Sequence, residues 1–174
     1  MHRKTSSTRI ALFAIAAVFS TALSAAELTV ADYTAIQQLY ARYNTAIDRG
    51  DAEGWANTFT PDGVFAGNFK GHDALVGFVN NWRTNMSGAA RRHFSADLVI
   101  TPSAEGATGT VSTILVDLAT KPASINGFVT YNDALVKTPG GWRFKSRAIK
   151  AEVAPPAVTP TAAPAPPVAP PAPR

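Results

Sequence analysis

Between residues 29 and 49 apolar side chains recur at three- and four-residue steps, Tyr33, Ile36, Leu39, Tyr40, Tyr43 and Ile47, the spacing of one buried helix face. Thr29 followed by Asp32 predicts a capping box at its start, and Gly50 can close it after Arg49. Asp51 suits the N-cap of a second, short helix carrying Trp55 and Phe59, before "TPDG" at 60–63 breaks the chain into a turn. A short strand, "VFAGNF", comes next. "GHDALVGFVNNWRTNM" then sets Leu75, Phe78, Val79 and Trp82 at helical spacing, which predicts a third helix. From Arg91 the period changes to that of strands: "RRHFSADLVI", "GATGTVSTILVDLA", "INGFVTYNDALV" and "GWRFKSRAIKAEV" are β-rich runs parted by turn material, including a hairpin loop in "TPGG" at 138–141. Three helices followed by a long antiparallel meander predict an α+β fold with helices packed on one face of a sheet.

The two ends of the chain do not share this patterning. Residues 1–26 carry Arg3, Lys4 and Arg9, an apolar run from Ile10 to Phe19, and small residues at Ser24, Ala25 and Ala26, the layout of a secretory signal peptide cleaved near Ala26. An uncleaved N-terminal anchor is the alternative, although the apolar run is short for a bilayer. Residues 154–174 hold nine of the thirteen prolines among alanine, valine and threonine; that composition cannot build a core and predicts an extended, disordered tail, a spacer or a proline-rich ligand for a partner. One domain, 27–153, remains.

Charge and composition then exclude several functions. Three of the sixteen basic residues lie in the leader and all twelve acidic ones beyond it, so thirteen face twelve and the mature chain carries a net +1. Such a balance, with basic residues scattered apart from Arg91 and Arg92, leaves no footprint for nucleic acid. Without any cysteine there is no disulfide framework, thiolate metal site or lipid-bearing cysteine. The expectation is a soluble periplasmic or secreted protein with no membrane span after signal cleavage. Phosphate-binding glycine loops and Gly-x-Ser-x-Gly elbows are absent, and His2, His72 and His93 are too few and too separated to predict a metal site.

Two residues stand out. His93 opens a strand in which His93, Ser95 and Asp97 alternate with Phe94, Ala96 and Leu98, so one face is polar, towards solvent or towards a polar cavity. Asp48 sits near a helix C-terminus, where an anion is electrostatically disfavoured, and so invites a reason other than helix stability. His72, where the third helix begins, suits capping or solvation.

The segments "AIQQLYARYNTAIDRGDAEGWANTFTPDGVF", "GHDALVGF", "RRHFSADLVI" and "GGWRFKSRAIKAE" resemble the SnoaL-like group of the NTF2-like superfamily over nearly all of 27–153. The resemblance implies a cone: three N-terminal helices packed in the concave face of a strongly bent antiparallel sheet, with a ligand cavity inside. Within the group the chain is similar to the branch of scytalone dehydratase, bile acid 7α-dehydratase and hexachlorocyclohexane dehydrochlorinase. That branch implies cofactor-free, metal-free lyase chemistry in which Asp48 orients His93, while Tyr43 and Arg147 match the tyrosine and arginine spacings of the bile acid enzyme. A second pocket histidine of scytalone dehydratase would fall near Ser112 or Thr113, and the aspartate base of ketosteroid isomerase on Gly67, so neither of those sites is complete. On this resemblance His93 is the general base, Tyr43 a donor to a developing oxyanion or leaving hydroxyl, and Arg147 a stabiliser of negative charge. By alternation, however, Arg147 is in phase with Arg143 and Lys145, which leaves open a solvent-facing or subunit-contact role unless a bulge re-aims it. The implied partners are a small hydrophobic molecule in the cone and further copies of the chain. A non-catalytic small-ligand-binding module, or an envelope structural protein using its tail, are the alternatives.

Overall fold

The computed structural model describes residues 27–86 and 88–152; the expected signal peptide and the expected proline-rich tail lie outside the described residues. Helix α1 (Val30–Arg49) begins at the expected capping box, where the Thr29 hydroxyl accepts from the Asp32 N–H and the Asp32 carboxylate accepts from the Thr29 N–H. It ends at Gly50, whose φ of 75° is the left-handed conformation that lets the chain reverse, with the Asp51 N–H closing back on Ala46 O. Its buried face is Asp32, Ile36, Leu39, Tyr40, Tyr43, Ala46 and Ile47; Tyr33, which the apolar spacing included, is exposed.

Helix α2 (Ala52–Ala56) is capped by Asp51 and is shorter than the pattern implied, since Phe59 already belongs to strand β1 (Phe59–Phe65). The "TPDG" segment is therefore a bulged part of a strand rather than a turn. β1 meets β6 (Gly141–Ala151) at Phe59↔Phe144 and again at Val64↔Ser146, and the mismatch in between accommodates Pro61, which has no N–H for a ladder. The reversal comes later, at Ala66 and Gly67, both at positive φ, and leads into β2 (Phe69–Lys70). "VFAGNF" is thus a hairpin. Helix α3 (His72–Asn85) buries Leu75, Val79 and Trp82 as the spacing requires, and a 3₁₀ turn at Gly88–Ala90 precedes β3.

Strands β3 (Arg91–Ser103), β4 (Gly106–Asp117), β5 (Ser124–Thr138) and β6 form the expected antiparallel meander. The sheet order is β2-β1-β6-β5-β4-β3, and because β1 joins β6 in parallel the six-stranded sheet is mixed. Period-two alternation sends Val111 and Thr113 of β4, Tyr131, Asp133 and Leu135 of β5, and Trp142 and Phe144 of β6 towards the helices. Their core is aromatic: Tyr43, Trp55, Phe59, Phe65 and Phe144 stack edge-on or tilted with centroids 5.0–6.3 Å apart. An α+β fold of three helices against one sheet results.

Candidate active site

Asp48 and His93, 45 residues apart in sequence, meet where the last turn of α1 crosses the start of β3. Asp48 Oδ1 lies 2.6 Å from His93 Nδ1, and Oδ2 accepts the His93 backbone N–H at 3.1 Å. One carboxylate thereby holds both the strand and the ring. Only 3% of the His93 side chain is exposed, and the Trp82 ring packs at 5.7 Å from it. With Asp48 ionised, Nδ1 donates, so in the neutral imidazole Nε2 carries the free lone pair; Nε2 has no hydrogen-bond partner among the described residues. The polar face of β3 therefore turns inward at His93 and Ser95, with Ser95 Oγ accepting from Asn44 of α1 and paired with Thr113 of β4. Asp97 departs from that face, because a bulge between Ala96 and Val99 puts it at φ 56°.

Arg147 is buried, with 1% of its side chain exposed, and its guanidinium makes two 2.8 Å hydrogen bonds, from Nε and Nη2, to the Asp133 carboxylate. The alternation with Arg143 and Lys145 is broken by a bulge at Lys145: Phe144 pairs with Leu135 and Ser146 with Ala134, so the residue between them is extra and Arg147 swings inward. Four rings, those of Tyr40, Tyr43, Tyr131 and Phe144, stand 4.2–4.8 Å from the guanidinium carbon. Tyr40 donates to Asp133 Oδ2 at 2.5 Å and completes the network. Burial alone would lower the Arg147 pKa, but its bonds to Asp133 more than reverse this and keep it charged.

Tyr43 is fully buried and its hydroxyl has no partner among the described residues, as is also true of the Trp55 indole N–H. Burial first, then the neighbouring Tyr131 phenol, pushes the Tyr43 pKa well above the ordinary tyrosine value. Tyr43 is therefore a hydrogen-bond donor at any physiological pH. Tyr131, its own pKa raised by burial, lies between the two groups of residues: 4.3 Å from the Arg147 guanidinium and near enough to Asp48 to feel its charge.

The structure thus pairs Asp48 with His93 and Tyr43 with Arg147. Tyr40 was read only as part of the apolar stripe of α1, and Tyr131 and Asp133 were not singled out in the sequence, although Asp133 alternates in phase with Tyr131 and Leu135, an ionisable group at a core position of "TYNDALV". Clefts of 290 to 440 Å³ open on the described residues away from the candidate residues, lined by none of Asp48, His93, Tyr43 or Arg147; one of 300 Å³ lies alongside, between α1 and the sheet at Tyr40, Asn44 and Ser95. His72 is half-exposed and lies 3.3 Å from Glu53. Among the described residues no three His, Cys, Asp or Glu side chains converge as metal ligands would, and no helix is long and apolar enough to cross a membrane.

Residues 28–148 match the SnoaL-like domain family. The chain belongs to that family. Its SnoaL-like fold recurs in solved structures. Rv3472 of Mycobacterium tuberculosis, described as of unknown function, is 31% identical over 70% of this chain and 72% of its own, with a TM-score of 0.61. A Nostoc punctiforme protein of unknown function with a cystatin-like fold is 27% identical over 75% and 98% of the two chains, with a TM-score of 0.65. A Catenulispora acidiphila protein in complex with S-DNPA is 27% identical over 71% and 95%, with a TM-score of 0.63. No curated protein matches the sequence. A Novosphingobium aromaticivorans NTF2-like protein with a cystatin-like fold, 23% identical over 69% of this chain and 81% of its own with a TM-score of 0.62, shares the fold.

Proposed function

We propose that this SnoaL-like domain is a cofactor-independent, dehydratase-like lyase or isomerase acting on a small hydrophobic hydroxy or oxo compound. The observation that carries the proposal is the 2.6 Å Asp48–His93 hydrogen bond on a ring almost removed from solvent. An imidazole held by a carboxylate on one nitrogen presents the other as a base, and the carboxylate stabilises the cation formed when a proton is taken. His93 Nε2 abstracts a proton next to an activated carbon, the Tyr43 hydroxyl donates to the developing oxyanion or leaving hydroxyl, and Arg147, its charge balanced by Asp133, holds the Tyr43 ring in place from 4.2 Å. The test is a panel of polyketide, steroid and terpenoid hydroxyketones offered to wild type and His93→Ala. Loss of about 10²- to 10⁴-fold in turnover is expected, and an undiminished rate in the variant excludes His93 as the base.

A second reading, a non-catalytic binder of small molecules, is favoured by one feature: Tyr43 and Arg147 are closed off from solvent and Arg147 is already neutralised by Asp133. Ligand affinity without turnover in wild type, unchanged in His93→Ala, supports it. The signal-peptide pattern of residues 1–26 further supports a periplasmic or secreted location, which fractionation of cells expressing the full chain tests directly.

A further inference from the structure

The sheet has a second face, turned away from α1, and its register builds a groove there. Phe94, Ile114 and Phe128 stand in one cross-strand row, and Ala96, Ser112 and Thr130 in the next, so a row of large apolar side chains runs beside a row of small ones. The result is a 440 Å³ cleft lined by both rows. Phe94 is 59% exposed and Phe128 43%, large aromatics left in water by the fold itself. Glu152, the last described residue, is part of the same cleft: its N–H donates to Phe128 O at 2.9 Å and its carboxylate accepts from the Thr130 hydroxyl at 2.9 Å. The chain therefore leaves the domain at the groove.

After Glu152 the chain reads "VAPPAVTPTAAPAPPVAPPAPR". Proline cannot donate to a sheet edge, so this segment is poorly suited to continue as a strand; it is suited to polyproline II, whose rings and methyls dock on aromatic-lined grooves at little entropic cost. We propose that the proline-rich segment 154–174 docks in cis on its own sheet, across the Phe94–Ile114–Phe128 groove. The reach is short: crossing from β5 to β3 covers roughly 10 Å at about 4.8 Å per strand, which about four residues of polyproline II span at about 3.1 Å each. Tethering at the rim sets an effective concentration on the order of millimolar, so even a weak intrinsic affinity fills the groove. A second copy of the chain lacks that tether, and is the occupant the experiment discriminates against. This inference is independent of any chemistry at His93.

The absence of cysteine makes the test clean. In the full chain at low concentration, Ser112→Cys in the groove floor is combined with Ala157→Cys in the tail, and mild oxidation is followed on a non-reducing gel. A control combines Ala157→Cys with Thr34→Cys on the exposed face of α1. Docking predicts an intrachain disulfide forming at least ~10-fold faster in the groove pair and slowed to the control rate by adding Phe94→Ser. Thr130→Cys replaces Ser112→Cys if the latter does not fold. Equal rates in the two pairs overturn the proposal, as do covalent dimers formed by Ser112→Cys alone, which would place a second copy on this face.

Discussion

Asp48 is the penultimate residue of α1, where the aligned carbonyls oppose an anion by roughly 0.3–1 kcal/mol. Two hydrogen bonds to His93 offset that cost, and they would be wasted on a residue serving only to end the helix, since Gly50 already does so. Asp48→Asn keeps the shape while weakening the hold on the Nδ1 proton; it should lower turnover by at least ~10²-fold with ligand affinity little changed, which steady-state kinetics on any substrate found will show. Arg147 and Asp133 belong to the same scale. Removing either leaves a buried charge without its partner, so Arg147→Ala and Asp133→Ala should each cost about 3–5 kcal/mol in urea unfolding, and the double variant less than their sum. Asp48 drew notice at a helix end that disfavours an anion, whereas alternation left His93 facing either solvent or a polar cavity; the resemblance of the surrounding segments paired them. Arg147 was legible by spacing, but its orientation was not, because one inserted residue, Lys145, reverses the phase and no rule of alternation announces it.

The elements themselves follow closely from periodicity and caps where the apolar face is long. α1, α3 and β3 to β6 occupy their expected stretches because three to five turns or ladder pairs of consistent pattern outweigh local ambiguity. β1 was obscured by Pro61 and Gly63, which read as a turn, yet the strand tolerates them because its ladder with β6 is broken just there. Thr29→Ala removes the side-chain half of the α1 capping box and should cost about 1 kcal/mol, read from the thermal midpoint. Gly109 of β4 tests how tightly α1 is seated: a methyl group there would collide with the Tyr40 hydroxyl that donates to Asp133. Gly109→Ala should therefore destabilise by about 1–3 kcal/mol, and adding Tyr40→Phe should recover part of the loss.

Across the whole molecule, Asp32 ties the start of α1 to the far hairpin: it accepts from Lys137 Nζ at 2.7 Å and from the Trp142 indole at 3.0 Å, besides its bonds to Thr29. Lys137 first, then Thr29 and Trp142, hold its carboxyl well below the ordinary value of 3.8. A depressed folded-state pKa contributes stability that is present above the unfolded value and lost as pH falls below it, so the urea midpoint should decline as pH drops below about 4, with a shallower acid slope in Asp32→Asn. The buried phenols act in the opposite direction. Tyr40 and Tyr43 are raised by burial, so their contribution is present below about pH 10 and lost as alkali ionises the unfolded chain. By itself the sequence determined the fold class and the helix boundaries set by caps, because these depend on periodicity and on local backbone chemistry; the candidate acid–base pair came from the resemblance of its segments to a known family. Only the tertiary structure decided that Arg147 is buried against Asp133, that β1 joins β6 in parallel, and that aromatic side chains close the interior around Tyr43. Those outcomes depend on the register between strands distant in sequence, where a single bulge moves a side chain from one face to the other.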